Sequence, residues 1–154
     1  MFQEREIILA YVTDIHPPKE KFLITLYSDE ELNVVACFTT SQHRAPIAPE
    51  EVKHGVIRKD NKPVAYVFEQ GYEIGATEGG VPFSFRKRTF VPFDYCFQQG
   101  TLVSFMSRVQ NPEVVCILNK EEFIDLLYAM YRSPQTGKVY LPFIEKALRK
   151  HCAV

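Results

Sequence analysis

The sequence predicts an α+β protein that is mainly β, with its helices gathered at the C-terminal end. Two observations carry this. Short runs rich in β-branched and aromatic residues, bounded by turn chemistry, fill the first three quarters of the chain, and after Leu118 the apolar spacing changes to that of a helix. The connections between the runs are short, which favours antiparallel neighbours over crossovers. A length of 154 residues corresponds to about one domain. With 46% hydrophobic and 24% charged residues, the composition is that of a globular protein and excludes a wholly disordered chain. We therefore expect a single domain over 1–154, β-rich over 1–118, with terminal helices over 119–154 packed on it. The expected architecture is a small, strongly curved antiparallel sheet or barrel.

Taken in order, residues 6–13, 21–27 and 32–40 read as strands of a meander. They are separated by the segment 14–20, with Pro17 and Pro18, which cannot donate to a ladder, and by the polar turn 28–31. The pattern breaks over 42–49 and returns at 55–58 and 64–68, and the segment 59–63 between them reads as a hairpin turn. A glycine-rich loop holding Gly71, Gly75, Gly79 and Gly80 leads into a run at 83–91. Two further strands are expected at 101–108 and 113–118, with Gln110, Asn111 and Pro112 turning between them. Asn119 followed by Glu122 has the spacing of a capping box, and Phe123, Leu127, Met130 and Tyr131 recur on one face of a helix ending near Arg132. A second helix starts with Pro142 in its first turn, and Arg149, Lys150 and His151 suit its C-terminal end.

Lys and Arg total 18 against 19 Asp and Glu, a formal charge of -1, so any nucleic-acid site must be a local patch. No apolar run approaches the roughly 20 residues that span a bilayer, and a cytoplasmic location is expected. Cys37, Cys96, Cys116 and Cys152 form no close pair, so reduced, mostly buried thiols are expected, with neither a metal site nor a cofactor. Neither a phosphate-cradling glycine motif nor a serine-nucleophile elbow is written in the chain.

Two segments carry chemistry. At residues 37–44 a strand ends in Thr39, Thr40 and Ser41, followed by Gln42, His43 and Arg44. Hydroxyls and a guanidinium hydrogen-bond phosphate oxygens, and an imidazole exchanges protons near neutral pH. The plainer reading is a strand end capped by hydroxyls with solvated His43 and Arg44. At residues 83–90, Arg86, Lys87 and Arg88 stand between phenylalanines, a composition suited to single-stranded nucleic acid because rings stack on bases while cations follow the backbone. Here the plainer reading is a half-buried strand with a basic outer face. His16, His54 and His151 have no local partner and read as exposed surface groups.

The order of these segments resembles the MazF/PemK (Kid) family of toxin endoribonucleases. Residues 5–12 look like a divergent version of that family's opening, with Glu6 at the acidic position. The segment 17–22 puts Lys21 where the catalytic arginine would fall, with Phe22 in place of a proline. Thr40 and Ser41 match a Thr-Ser strand end, and 88–93 is similar to the segment that re-enters the barrel. The resemblance implies an SH3-like barrel, a homodimer, single-stranded RNA as substrate and an antitoxin protein as partner. It assigns Lys21 and Arg44 to phosphate stabilisation, Thr40 and Ser41 to phosphate positioning and His43 to proton transfer, in a metal-independent cleavage. Lys21 supplies charge without the two-pronged contact of an arginine. Two other readings fit the same composition: a non-catalytic nucleic-acid- or protein-binding module with an SH3-like or Sm-like barrel, and an unrelated α+β protein whose terminal helices mediate partner contacts.

Overall fold

The computed structural model describes residues 1–42 and 52–152. The chain forms ten strands and three helices within that range. The strands are β1 (Glu6–Val12), β2 (Lys19–Ser28), β3 (Asn33–Phe38), β4 (Gly55–Lys59), β5 (Lys62–Phe68), β6 (Gly75–Ala76), β7 (Pro82–Phe83), β8 (Thr89–Pro92), β9 (Phe97–Thr101) and β10 (Val109–Leu118). The helices are α1 (Leu102–Arg108), α2 (Lys120–Arg132) and α3 (Leu141–Cys152). All strand pairings are antiparallel, and the fold is mainly β with two helices at the C-terminus. Among the described residues no helix is long and apolar enough to cross a membrane.

Two sheets result. The larger runs in the order β7-β6-β10-β1-β2-β3-β9 and the smaller in the order β4-β5-β8. Register shifts between Ile7 and Ile8, between Leu9 and Tyr11, and between Thr25 and Tyr27 bend the large sheet. Its end strands, β7 and β9, do not pair with each other, so the sheet is open. A bridge between Thr40 and Phe90 joins its β3 side to β8 of the small sheet.

Alternation along the strands builds a core on each face of the large sheet. Ile7, Ile24, Leu26, Val35, Cys37 and Cys116 face α2, α3 and the small sheet, where Phe123, Leu126, Leu127, Met130, Ile144 and Ala147 are buried. Ile8, Ala10, Val12, Leu23 and Val34 face the other way, against Phe2 and Phe105 of α1. Each fully buried large apolar side chain contributes about 1.5–3 kcal/mol, so both cores hold the sheet.

Several expectations need correction. The run expected as a strand at 101–108 is the helix α1, because the Thr101 side chain accepts from the Ser104 backbone N–H and caps its first turn. β10 then starts at Val109 and runs through the expected turn, with Asn111 at φ 52°. The run at 83–91 is two short strands, β7 and β8, separated by a loop carrying Arg86, Lys87 and Arg88, so the half-buried strand does not form. The capping box before α2 is also absent: Asn119 makes no side-chain cap bond, and its backbone N–H donates instead to Ile74 O at 2.9 Å. The hairpin at 59–63 forms as expected. Its two turn residues, Asp60 and Asn61, have φ of 53° and 66°, the left-handed pair that a tight antiparallel hairpin requires.

Candidate functional site

The site begins where β2 starts and β3 ends. These strands are antiparallel neighbours, so the residues after the Pro17-Pro18 segment lie opposite the hydroxyl-rich end of β3. Thr39 N donates to Phe22 O at 3.3 Å, and Lys21 Nζ donates to Thr39 O at 3.2 Å. Beyond β3, Thr40 exchanges backbone hydrogen bonds with Phe90 at 2.9 and 2.7 Å, which fixes the chain against β8. Thr40 Oγ1 accepts from the Gln42 N–H at 3.2 Å, leaving the hydroxyl proton to be donated elsewhere.

A cleft of about 960 Å³ opens over this junction. Lys19, Glu20 and Lys21 line it from β2; Thr39, Thr40, Ser41 and Gln42 from the end of β3; and Arg86 and Lys87 from the β7–β8 loop. Its apolar lining includes Leu9, Phe22, Phe38, Phe83 and Phe85, with Tyr95 beside them. Phe85 is the buried centre of an aromatic group, with its ring 4.9 Å from Phe22 edge-on, 5.3 Å from Phe83 edge-on and 5.6 Å from Phe68. That packing anchors the loop from which Arg86 and Lys87 project. The Gly71 N–H adds a bond to Phe85 O at 3.0 Å.

Burial pushes the Lys21 ammonium below the ordinary lysine range, and the neighbouring Lys19 charge pushes it further the same way. An anion in the cleft would offset both penalties through its attraction for the ammonium. Cations, hydroxyl donors and aromatic surface in a single concavity can bind a phosphodiester together with an adjacent planar group.

The predicted residues divide. Lys21, Thr40, Ser41, Arg86 and Lys87 come together in the cleft. Arg88 does not: its guanidinium is held by Glu69, with Nε 3.1 and 3.0 Å from the two carboxylate oxygens. That contact lowers the Glu69 carboxyl below its usual range. His43 and Arg44 lie outside the described residues, as does most of the loop expected at 42–49.

Two histidines read from sequence as exposed are largely covered. His54 pairs through Nε2 with Glu122, accepts from the Glu69 backbone N–H at Nδ1 at 3.1 Å, and stacks on Tyr72 with centroids 3.7 Å apart. With both ring nitrogens engaged, it is a structural latch between α2 and the end of β5. Tyr66 completes the latch, its hydroxyl 3.2 Å from Glu122, and its phenol is pushed strongly up by burial and by that carboxylate. His151 bonds Glu4 at 2.7 Å and ties α3 to the N-terminus. Cys37, Cys96 and Cys116 are buried thiols, and Cys152 is exposed.

Gln42, named in the sequence as part of the hydroxyl-rich segment, also lines the cleft, whereas sequence reasoning missed Lys19, Glu20 and Tyr95. The alternation of charge at Lys19-Glu20-Lys21 was a readable signal, whereas nothing local marked Tyr95. Comparison of the chain with protein-family models, with curated proteins and with solved structures gives no match.

Proposed function

We propose that the chain is a metal-independent endoribonuclease of the PemK/MazF toxin type, acting on single-stranded RNA, with the cleft between β2, the end of β3 and the β7–β8 loop as its active site. The observation that carries this reading is the convergence in one concavity of Lys21, Thr40, Ser41, Arg86 and Lys87, which come from three separate stretches of sequence. The curved large sheet and its bridge to the small one are the features that fit an SH3-like barrel. A homodimer, an antitoxin partner and a cytoplasmic location belong to the same proposal.

In the chemistry that follows, the ribose 2'-oxygen forms a bond to phosphorus and the bond from phosphorus to the 5'-oxygen breaks, leaving a 2',3'-cyclic phosphate and a free 5'-hydroxyl. The proton of the 2'-hydroxyl must be taken up and a proton returned to the leaving oxygen. Lys21, Arg86 and Lys87 oppose the charge that develops on the phosphoryl oxygens, and the Thr40 and Ser41 hydroxyls orient them. Lys21, with its proton loosened by burial, is also suited to give one to the leaving oxygen, and His43 is the sequence's candidate for accepting the first. A second reading, a non-catalytic RNA-binding module, is favoured by one contact: the Lys21 ammonium is already engaged with Thr39 O.

Purified protein incubated with mixed-sequence single-stranded RNA in a metal chelator is the test. We expect fragments ending in cyclic phosphate, and cleavage slowed at least about tenfold by Lys21→Met or His43→Ala. RNA that is bound but left intact points to the binding module. RNA neither bound nor cut removes both readings.

A further inference from the structure

The cleft does not end the apolar surface of the large sheet. Leu9 of β1 and its cross-strand partner Phe22 of β2 line the cleft on the face that also carries Phe83 and Phe85. Two residues further along β1, about 7 Å away and on the same face, stands Tyr11. Its cross-strand partner is Glu20, another lining residue. Two neighbours of Tyr11, Leu9 along the strand and Glu20 on β2, thus belong to the cleft, while its partner on β10, Gln110, lies outside the lining, which places Tyr11 at the cleft's margin.

Tyr11 is an unusual residue for an inner strand. β1 sits between β10 and β2, yet Tyr11 is 38% exposed. A ring on an accessible sheet face, next to a cationic groove, is the arrangement by which sheet proteins stack unpaired bases. The charges separate where phosphates and bases of a bound strand would lie. Lys21, Arg86 and Lys87 draw phosphates into the cleft, while the Glu20 carboxylate beside Tyr11 repels them and can accept a hydrogen bond from a base amino group.

We propose that Tyr11 is a base-stacking subsite, taking an unpaired base of single-stranded RNA whose neighbouring phosphate lies in the cleft. The subsite rests on the RNA reading above and extends it along the sheet. Duplex RNA is excluded, because its paired bases present no free face to the ring.

Fluorescence anisotropy with a labelled single-stranded RNA made uncleavable by 2'-O-methylation tests this, using the full chain and its Tyr11→Phe, Tyr11→Ala and Tyr11→Leu variants, each checked for folding by circular dichroism. Loss of one stacked base predicts that Ala and Leu weaken binding roughly 5- to 150-fold. Phe stays within about twofold, and the salt dependence is the same for all four because no charge changes. Wild-type binding with Tyr11→Leu unaffected, or with Tyr11→Phe as weak as Tyr11→Ala, overturns the subsite alone. No binding by the wild type overturns the RNA reading and the subsite with it.

Discussion

Lys21 holds the most instructive position in the chain. Burial and Lys19 make its charged form costly, so it releases its proton at a lower pH than an ordinary lysine. A phosphate binds the ammonium and not the amine. On the proposed RNA reading, affinity is expected to fall on an alkaline limb that begins below the usual lysine range, and Lys21→Arg, whose guanidinium stays charged, is expected to remove that limb. Binding titrations between about pH 7 and pH 10 check this, since ordinary lysines titrate near 10.4. A limb that persists in the Lys21→Arg variant assigns the titration to another group. At this scale, legibility depended on sequence distance. Thr40 and Ser41 were readable because the hydroxyls themselves end the strand. His54 and His151 were not, since their partners Glu122 and Glu4 lie 68 and 147 residues away. Arg88 misled for the same reason: Glu69, which holds it, is 19 positions earlier, beyond any local pattern.

Among the elements, the strands flanked by proline or polar turns were readable, and the errors share one physical origin. Over Leu102–Arg108 the order of Val103, Phe105 and the serines satisfies both a strand's alternation and one short helical face, and the decision falls to the Thr101 cap. The β7–β8 loop was misread because its aromatics looked like strand residues, whereas Phe85 is buried by contacts with Phe22 and Phe68 from other strands. Gly75 shows how a two-residue strand survives. A Cβ there would lie 2.2 Å from Ile117 O and 2.8 Å from Cys116 Sγ, so only glycine lets β6 close on β10. Gly75→Ala is expected to cost about 1–3 kcal/mol, as overpacking does. In a chain of this size each kcal/mol lowers the melting midpoint by about 2–4 °C. Thermal unfolding followed by circular dichroism reads the effect, and an unchanged midpoint contradicts the close approach.

Over the whole molecule, the early meander β1–β2–β3 was legible, but the sheet that contains it was not. β1 pairs on its other side with β10, and β3 with β9, contacts that join distant parts of the chain and have no local signature. The same long-range closure brings the β7–β8 loop over the β2–β3 junction and so creates the cleft, which is why its residue types could be read while its shape could not. Glu4 completes the closure: it receives Lys150 at 2.9 Å and His151 at 2.7 Å from α3, and the Ser28 backbone N–H at 3.0 Å. These contacts hold the chain's first residues, the end of β2 and the last helix together. On the proposed reading, this long-range pairing makes an RNA site at one place on the surface. Backbone amide chemical shifts, recorded while the uncleavable single-stranded RNA is titrated into labelled protein, test it most directly. Shifts are expected at residues 9–11, 19–22, 39–42 and 83–87, with α1 and α2 unmoved. Shifts centred on the helices, or no shifts at saturating RNA, would contradict it.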